Sequence, residues 1–130
     1  MKFAITNNNG NIKIENNKLY EYNKFIKSDY NILTNLNKKF TYTIIIYDES
    51  SKYPDYIHLL IINNNNVILQ YEPPNPTAKS GEHKYHVCIY KQSKRITCKT
   101  TNRYNFNTQE FVYNNNLTAA DCMMFKVIHY

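Results

Sequence analysis

Cysteine, glycine and arginine are scarce in this chain, tryptophan is absent, and no hydrophobic run is long. Each scarcity excludes something. The three cysteines, Cys88, Cys98 and Cys122, are widely separated and odd in number, which argues against a closed disulfide scaffold and offers no zinc-finger spacing. Cys88 lies within an apolar strand pattern and reads as a small core residue, with no local feature that would activate its thiol. The two arginines are Arg95 and Arg103, so there is no arginine-rich tail, and nucleic acid is not expected as a partner. No apolar stretch is long enough to span a bilayer as a helix. The start, Met1-Lys-Phe-Ala-Ile-Thr6, is too short and too soon polar for a secretory leader, so the expected location is the cytoplasm, and the sequon at Asn116-Leu-Thr118 should be silent. With no repeat and no linker-like shift in composition, residues 1–130 read as one domain.

What is present favours β-structure. Apolar residues make up 42% of the chain and aromatics 15%, enough for a folded core. Thirteen tyrosines and abundant Ile and Val favour strands. Runs of asparagine at 7–9, 63–66 and 114–116 read as loops or turns. The formal charge of +6 comes mostly from scattered lysines, with Lys38-Lys39 the densest pair. It reads as a solubilising positive field that also suits acidic lipids or phosphorylated ligands.

Periodicity places the elements. Residues 2–6 and 11–15 suit a hairpin around Asn9-Gly10. Residues 18–37 are ambiguous: Leu19, Tyr22, Phe25 and Ile26 have helical spacing, while Asn and Tyr weaken a helix. Phe40 to Tyr47, with Ile44-Ile45-Ile46 at its centre, suits a strand buried on both faces, and Asp48 to Lys52 ends it as a loop. Pro54 and Asp55 mark a turn before a strand from Ile57 to Ile62. Val67 to Tyr71, Tyr85 to Lys91, Ile96 to Thr100 and Met123 to His129 suit further strands, and residues 107–113 a short helix capped by Asn107 or Thr108. Pro73, Pro74 and Pro76 keep the intervening loop out of any ladder. Many strands and a minor helix imply an all-β, antiparallel sandwich-like fold.

The stretch Tyr71 to Tyr90 carries the chemistry. A proline-punctuated loop passes Asn75, Pro76 and Gly81 and enters a strand at His83 and Tyr85, which share a face. Upstream, one strand ends in Asp48 and the next begins at Tyr56-Ile57-His58. Two alternatives stand for each residue: Asp48 as a pocket acid or a strand-ending turn residue, Tyr85 as a pocket or core aromatic, and His58 and His83 as pocket or packing residues. His86 and His129 are expected outside any site.

This order of pieces resembles the phosphatidylethanolamine-binding protein family. The family's first signature is an Asp-Pro-Asp-x-Pro loop followed by Trp-x-His. Asp48 matches its first aspartate, Glu49 stands for the proline, Ser50 for the second aspartate, and Tyr56-Ile57-His58 for Trp-x-His. The second signature, a proline-rich loop and Gly-x-His-Arg-Tyr, matches Pro73-Pro74-Asn75-Pro76 and Gly81-Glu82-His83-Lys84-Tyr85, with Lys84 for arginine. The chain is short for the family. The resemblance implies the family's antiparallel β-sandwich and a pocket for an anionic phospho-ligand or phospholipid headgroup, lined by Asp48, Tyr56, His58, Asn75, Pro76, Gly81, His83 and Tyr85. In that reading His58, His83 and Tyr85 donate to an oxyanion, Asp48 orients a histidine or receives an amine, and Tyr56 forms an aromatic wall.

The expected function is therefore that of a small binding protein, without cofactor or metal, acting as a regulator or scaffold. The family resemblance implies a protein partner such as a signalling kinase. The alternative is a protein-interaction module that kept the fold and lost the ligand. An enzyme acting on a phosphorylated or acyl substrate ranks below both. Asp48, His58 and His83 supply an acid and bases, but no nucleophile is evident, since neither Ser50 nor Ser51 lies in a nucleophile elbow. The bias to Asn, Lys, Ile and Tyr suits an AT-rich genome such as that of a large DNA virus or a parasite.

Overall fold

The apolar runs settle into two packed sheets. The structure, a computed structural model, describes residues 1–49, 55–100 and 102–130. A three-stranded sheet, in the order β2-β1-β4, is built from β1 (Lys2–Asn7), β2 (Gly10–Ile14) and β4 (Asp29–Leu33). The hairpin turns at Asn8 and Asn9, and Gly10 takes φ +117°, which a side chain would strain. Residues 18–37 form no α-helix. They hold β3 (Leu19–Glu21), one 3-10 turn at Tyr22–Lys24, and β4.

A six-stranded sheet in the order β3-β9-β8-β5-β6-β7 adds β5 (Thr41–Asp48), β6 (Tyr56–Ile62), β7 (Asn66–Leu69), β8 (Glu82–Gln92) and β9 (Thr118–Ile128). Its pairs are antiparallel except β3 with β9 at one edge, which is parallel. One face packs against the small sheet. Phe3, Ile5 and Ile14 meet Tyr20, Phe25, Ile46, Leu59, Tyr85, Val87, Phe125 and Val127 there. Phe125 lies at the centre, its ring stacked 5.5–5.7 Å from those of Phe3, Phe25 and Tyr85. The other face, with Ile45, Leu60, Ile62, Cys88 and Tyr90, is covered by Ile96, Phe106, Leu117 and α1 (Thr108–Asn114). Ile45 and Ile46 are both sealed because the central strands have cover on both sides. Asn107 caps α1, accepting from the Glu110 amide at 3.0 Å.

Two expectations change. Ile96 to Thr100 is not a strand. Ile96 is instead held by the buried Asn63 amide, which accepts from Ile96 N at 3.1 Å, donates to Ile96 O at 2.9 Å and accepts from Gln92 Nε2 at 2.8 Å. The Asn63 backbone, at φ +52°, suits asparagine better than most residues. Cys88 is a core residue, but it faces Cys122 in the β8–β9 register and is disulfide-bonded to it, leaving Cys98 free. That pairing depends on cross-strand register, which cysteine spacing does not reveal. Ser50, Ser51 and Pro54 lie outside the described residues. Among the described residues, no helix is long and apolar enough to cross a membrane.

Candidate functional site

Register brings the candidate residues together at one end of the large sheet. Asp48, last in β5, pairs with Tyr56 on β6 and with Tyr85 on β8, so the three form one cross-strand row. His83 lies two residues before Tyr85 and therefore on the same face. His58 reaches that end through a β-bulge. Ile46 pairs with Leu59 but Tyr47 pairs with Ile57, which leaves His58 as the extra residue. The bulge is what sets Tyr56 opposite Asp48 instead of one residue out of step, a use of irregular pairing common beside sites.

A cavity of about 360 Å³ opens at this end. Of the predicted residues, Asp48, Tyr56, His58, Asn75, Pro76, His83 and Tyr85 line it. Gly81 does not. It is an exposed residue at φ +86° in the turn before β8, so its role is to shape the backbone. Glu72, Thr77 and Tyr104 also line the cavity and were not anticipated. His86 faces the opposite side of the sheet, stacked on Tyr47, with Nε2 3.0 Å from Glu49 but poorly aligned for a hydrogen bond.

The polar groups are already engaged. His83 Nδ1 stands 2.7 Å from Asp48 Oδ2, and both side chains are largely buried. Its Nε2 is 2.8 Å from Ser80 Oγ, which also lies 2.5 Å from Thr77 O. The Tyr85 hydroxyl bonds to Asp48, and burial together with that carboxylate pushes its pKa up, so it remains protonated. His58 Nδ1 donates to Glu72 O at 2.6 Å. Burial pulls its pKa down, against smaller opposing effects of Glu72 and Asp48. His58 is therefore neutral near pH 7, and Nε2 carries a lone pair. This corrects the expectation of an oxyanion donor at His58: the buried ring has spent its proton on a carbonyl.

A clamp that sequence reasoning missed holds the far wall. The Tyr56 hydroxyl donates to Glu72 Oε1 at 2.6 Å, and burial and this carboxylate raise its pKa. Arg103 Nε lies 3.1 Å from Glu72 Oε2, while its other nitrogens donate to Ile57 O at 3.0 Å and Gln70 O at 2.6 Å. Only a planar guanidinium serves three acceptors in this way. The available signal was that Arg103 is one of two arginines in a lysine-rich chain. The rim is also tied to the residue that follows β9: His129 Nδ1 donates to Pro76 O at 3.0 Å, and His129 O accepts from Lys79 N at 2.8 Å. His129 is thus outside the cavity, as expected, yet it fixes the loop that borders it.

No family model and no curated protein sequence matches the chain. Solved structures do. A carboxypeptidase Y inhibitor in complex with its cognate proteinase aligns over 98% of this chain and 83% of its own, with a TM-score of 0.72 at 17% identity. A phosphatidylethanolamine-binding protein from Plasmodium vivax aligns over 98% and 85%, with a TM-score of 0.69 at 11% identity. One from Plasmodium falciparum aligns over 96% and 83%, with a TM-score of 0.63 at 14% identity. At such identities the likeness shows the fold alone: the chain has the phosphatidylethanolamine-binding protein fold.

Proposed function

We propose that the cavity binds a small phosphorylated group that also carries an amine, as in phosphorylethanolamine or a phospholipid headgroup, and that the chain belongs functionally to the phosphatidylethanolamine-binding proteins, acting as a regulator or scaffold. The observation that carries this reading is the Asp48–His83 pair, 2.7 Å apart, standing with His58 and Tyr85 in one cavity. The floor is rich in acceptors, with the Asp48 carboxylate and the His58 Nε2 lone pair, beside the aromatic faces of Tyr56 and Tyr85. An ammonium suits that floor. The rim offers donors: the Asn75 amide, the Thr77 hydroxyl and, in the doubly protonated ring, His83 Nε2 once an oxygen of the ligand takes the place of Ser80 Oγ. A phosphate suits that rim. The cavity volume falls at the small end of the range for ligand sites, which favours a headgroup over a larger molecule.

Calorimetric titration with phosphorylethanolamine tests the reading. Saturable binding that weakens at least about tenfold in His83→Ala, a loss of about 1.4 kcal/mol, is expected. Absence of saturable binding, or equal binding by the variant, would sink it. The likeness to an inhibitor solved with its proteinase favours a second reading, a protein-interaction module that no longer uses the cavity. A protein partner retained equally by wild type and His83→Ala, in protein that binds no headgroup, would favour that reading instead.

A further inference from the structure

Three side chains at the cavity mouth stand in a relay that binding alone does not need. Asp48 Oδ2 is 2.7 Å from His83 Nδ1, and His83 Nε2 is 2.8 Å from Ser80 Oγ. Acid, imidazole and hydroxyl thus occupy the order and spacing of a nucleophilic serine with its base and its orienting carboxylate. Asp48 and His83 are largely buried, whereas Ser80 is exposed, so the hydroxyl is open to a reactant and the pair behind it is shielded. The turn that presents Ser80 has left-handed residues on both sides, Lys79 at φ +62° and Gly81 at φ +86°. Gly81 N–H, the amide that follows the serine, makes no hydrogen bond within the described residues and is available to an oxyanion.

We infer that Ser80, His83 and Asp48 form a nucleophilic site that takes an acyl group from a small carboxylic ester at the mouth of the cavity. Ser80 Oγ adds to the ester carbonyl as His83 Nε2 accepts its proton. The carbonyl–alkoxy bond then breaks, and the leaving alkoxide takes that proton from His83. Water, deprotonated by the same nitrogen, releases the acid and restores the serine. The net change is ester and water to acid and alcohol. Asp48 is a positioning residue that keeps the proton of the neutral ring on Nδ1. The 2.5 Å contact from Ser80 Oγ to Thr77 O competes for the hydroxyl proton, so attack requires rotation from that carbonyl to Nε2. This makes a slow site the expectation. The competing role for Ser80 is to brace His83 without reacting.

Diisopropyl fluorophosphate decides between these roles. In the wild-type protein, a mass gain of one diisopropylphosphoryl group mapping to Ser80 is expected. Ser80→Ala, which alters an exposed side chain, should remove the label while the protein stays folded. His83→Gln should slow labelling by about 100-fold or more, the usual contribution of a general base. If that variant does not fold, the comparison is native against urea-unfolded wild type, with Ser80 labelling far faster in the native protein. In Asp48→Asn the amide should shift the ring proton to Nε2, which the ¹⁵N shifts of His83 report, and labelling should slow. No label at Ser80, or a rate that is the same in unfolded protein or in His83→Gln, would overturn the inference and leave Ser80 as a brace. Phosphorylethanolamine binding is measured separately, so failure of either proposal is visible on its own.

Discussion

Arg103 offers the sharpest test of how the cavity wall is held. Replacing it with methionine keeps much of the apolar stem but removes three contacts: to Glu72 Oε2 at 3.1 Å, Ile57 O at 3.0 Å and Gln70 O at 2.6 Å. A hydrogen bond from a charged group contributes about 1.5–3 kcal/mol when buried, and an exposed ion pair about 0–1 kcal/mol. Here the side chains of Arg103 and Glu72 are 21% and 45% exposed, so solvent screens the pair and the lower ends of those ranges apply. Two carbonyl contacts at about 1.5 kcal/mol each, with nothing added for the screened pair, make about 3 kcal/mol for Arg103→Met, or roughly 12 °C in Tm for a domain of this size. Arg103→Lys, a point charge unable to serve all three acceptors, should recover less than half of that loss. Thermal unfolding followed by circular dichroism reads both variants. A Tm within about 2 °C of wild type for Arg103→Met would refute the clamp, since one unscreened contact alone should exceed that.

Other outcomes follow from the same structure. Burial holds the His58 imidazole below its ordinary value of 6.5, so the unfolded chain binds that proton first as pH falls. The resulting stability is full above about pH 6.5 and declines below it towards the folded value. His58→Gln should flatten the fall in Tm between about pH 7 and 5, and an unchanged slope would count against a buried neutral ring. Asn63→Ala should cost about 3 kcal/mol in urea unfolding, because it orphans buried groups on Gln92 and Ile96 and sets alanine at a positive φ. Since Asn63 lies at the opposite end of β6 from Tyr56, phosphorylethanolamine affinity should not change, and a parallel loss of binding would contradict that separation.

The strands were readable where the chain is densely apolar. Ile44 to Ile46 and Ile57 to Ile62 have no other way to hide from water, and both are central strands. His83 and Tyr85 could be paired in advance because alternation on a strand is local. Features that depend on register across strands could not be read. The bulge at His58 has no sequence signal, yet it decides which face Tyr56 occupies. The Cys88–Cys122 bond needs the β8–β9 offset. Glu72, Ser80 and Arg103 are polar residues in loops, where composition suggests only exposure. It takes the folded turn to bring Ser80 back onto His83, and the folded edge to bring Arg103 onto Glu72. Ile96 to Thr100 has the composition of a strand, but the buried Asn63 amide takes the hydrogen bonds at Ile96.

The central claim is that this cavity receives a phosphorylated, amine-bearing headgroup, and a crystal soaked with phosphorylethanolamine tests it most directly. The account predicts phosphate density at the rim, within hydrogen-bonding distance of His83 Nε2 and the Asn75–Thr77 loop, with the amine directed at Asp48 and His58. An empty cavity at saturating ligand, or the molecule bound elsewhere on the surface, would contradict it.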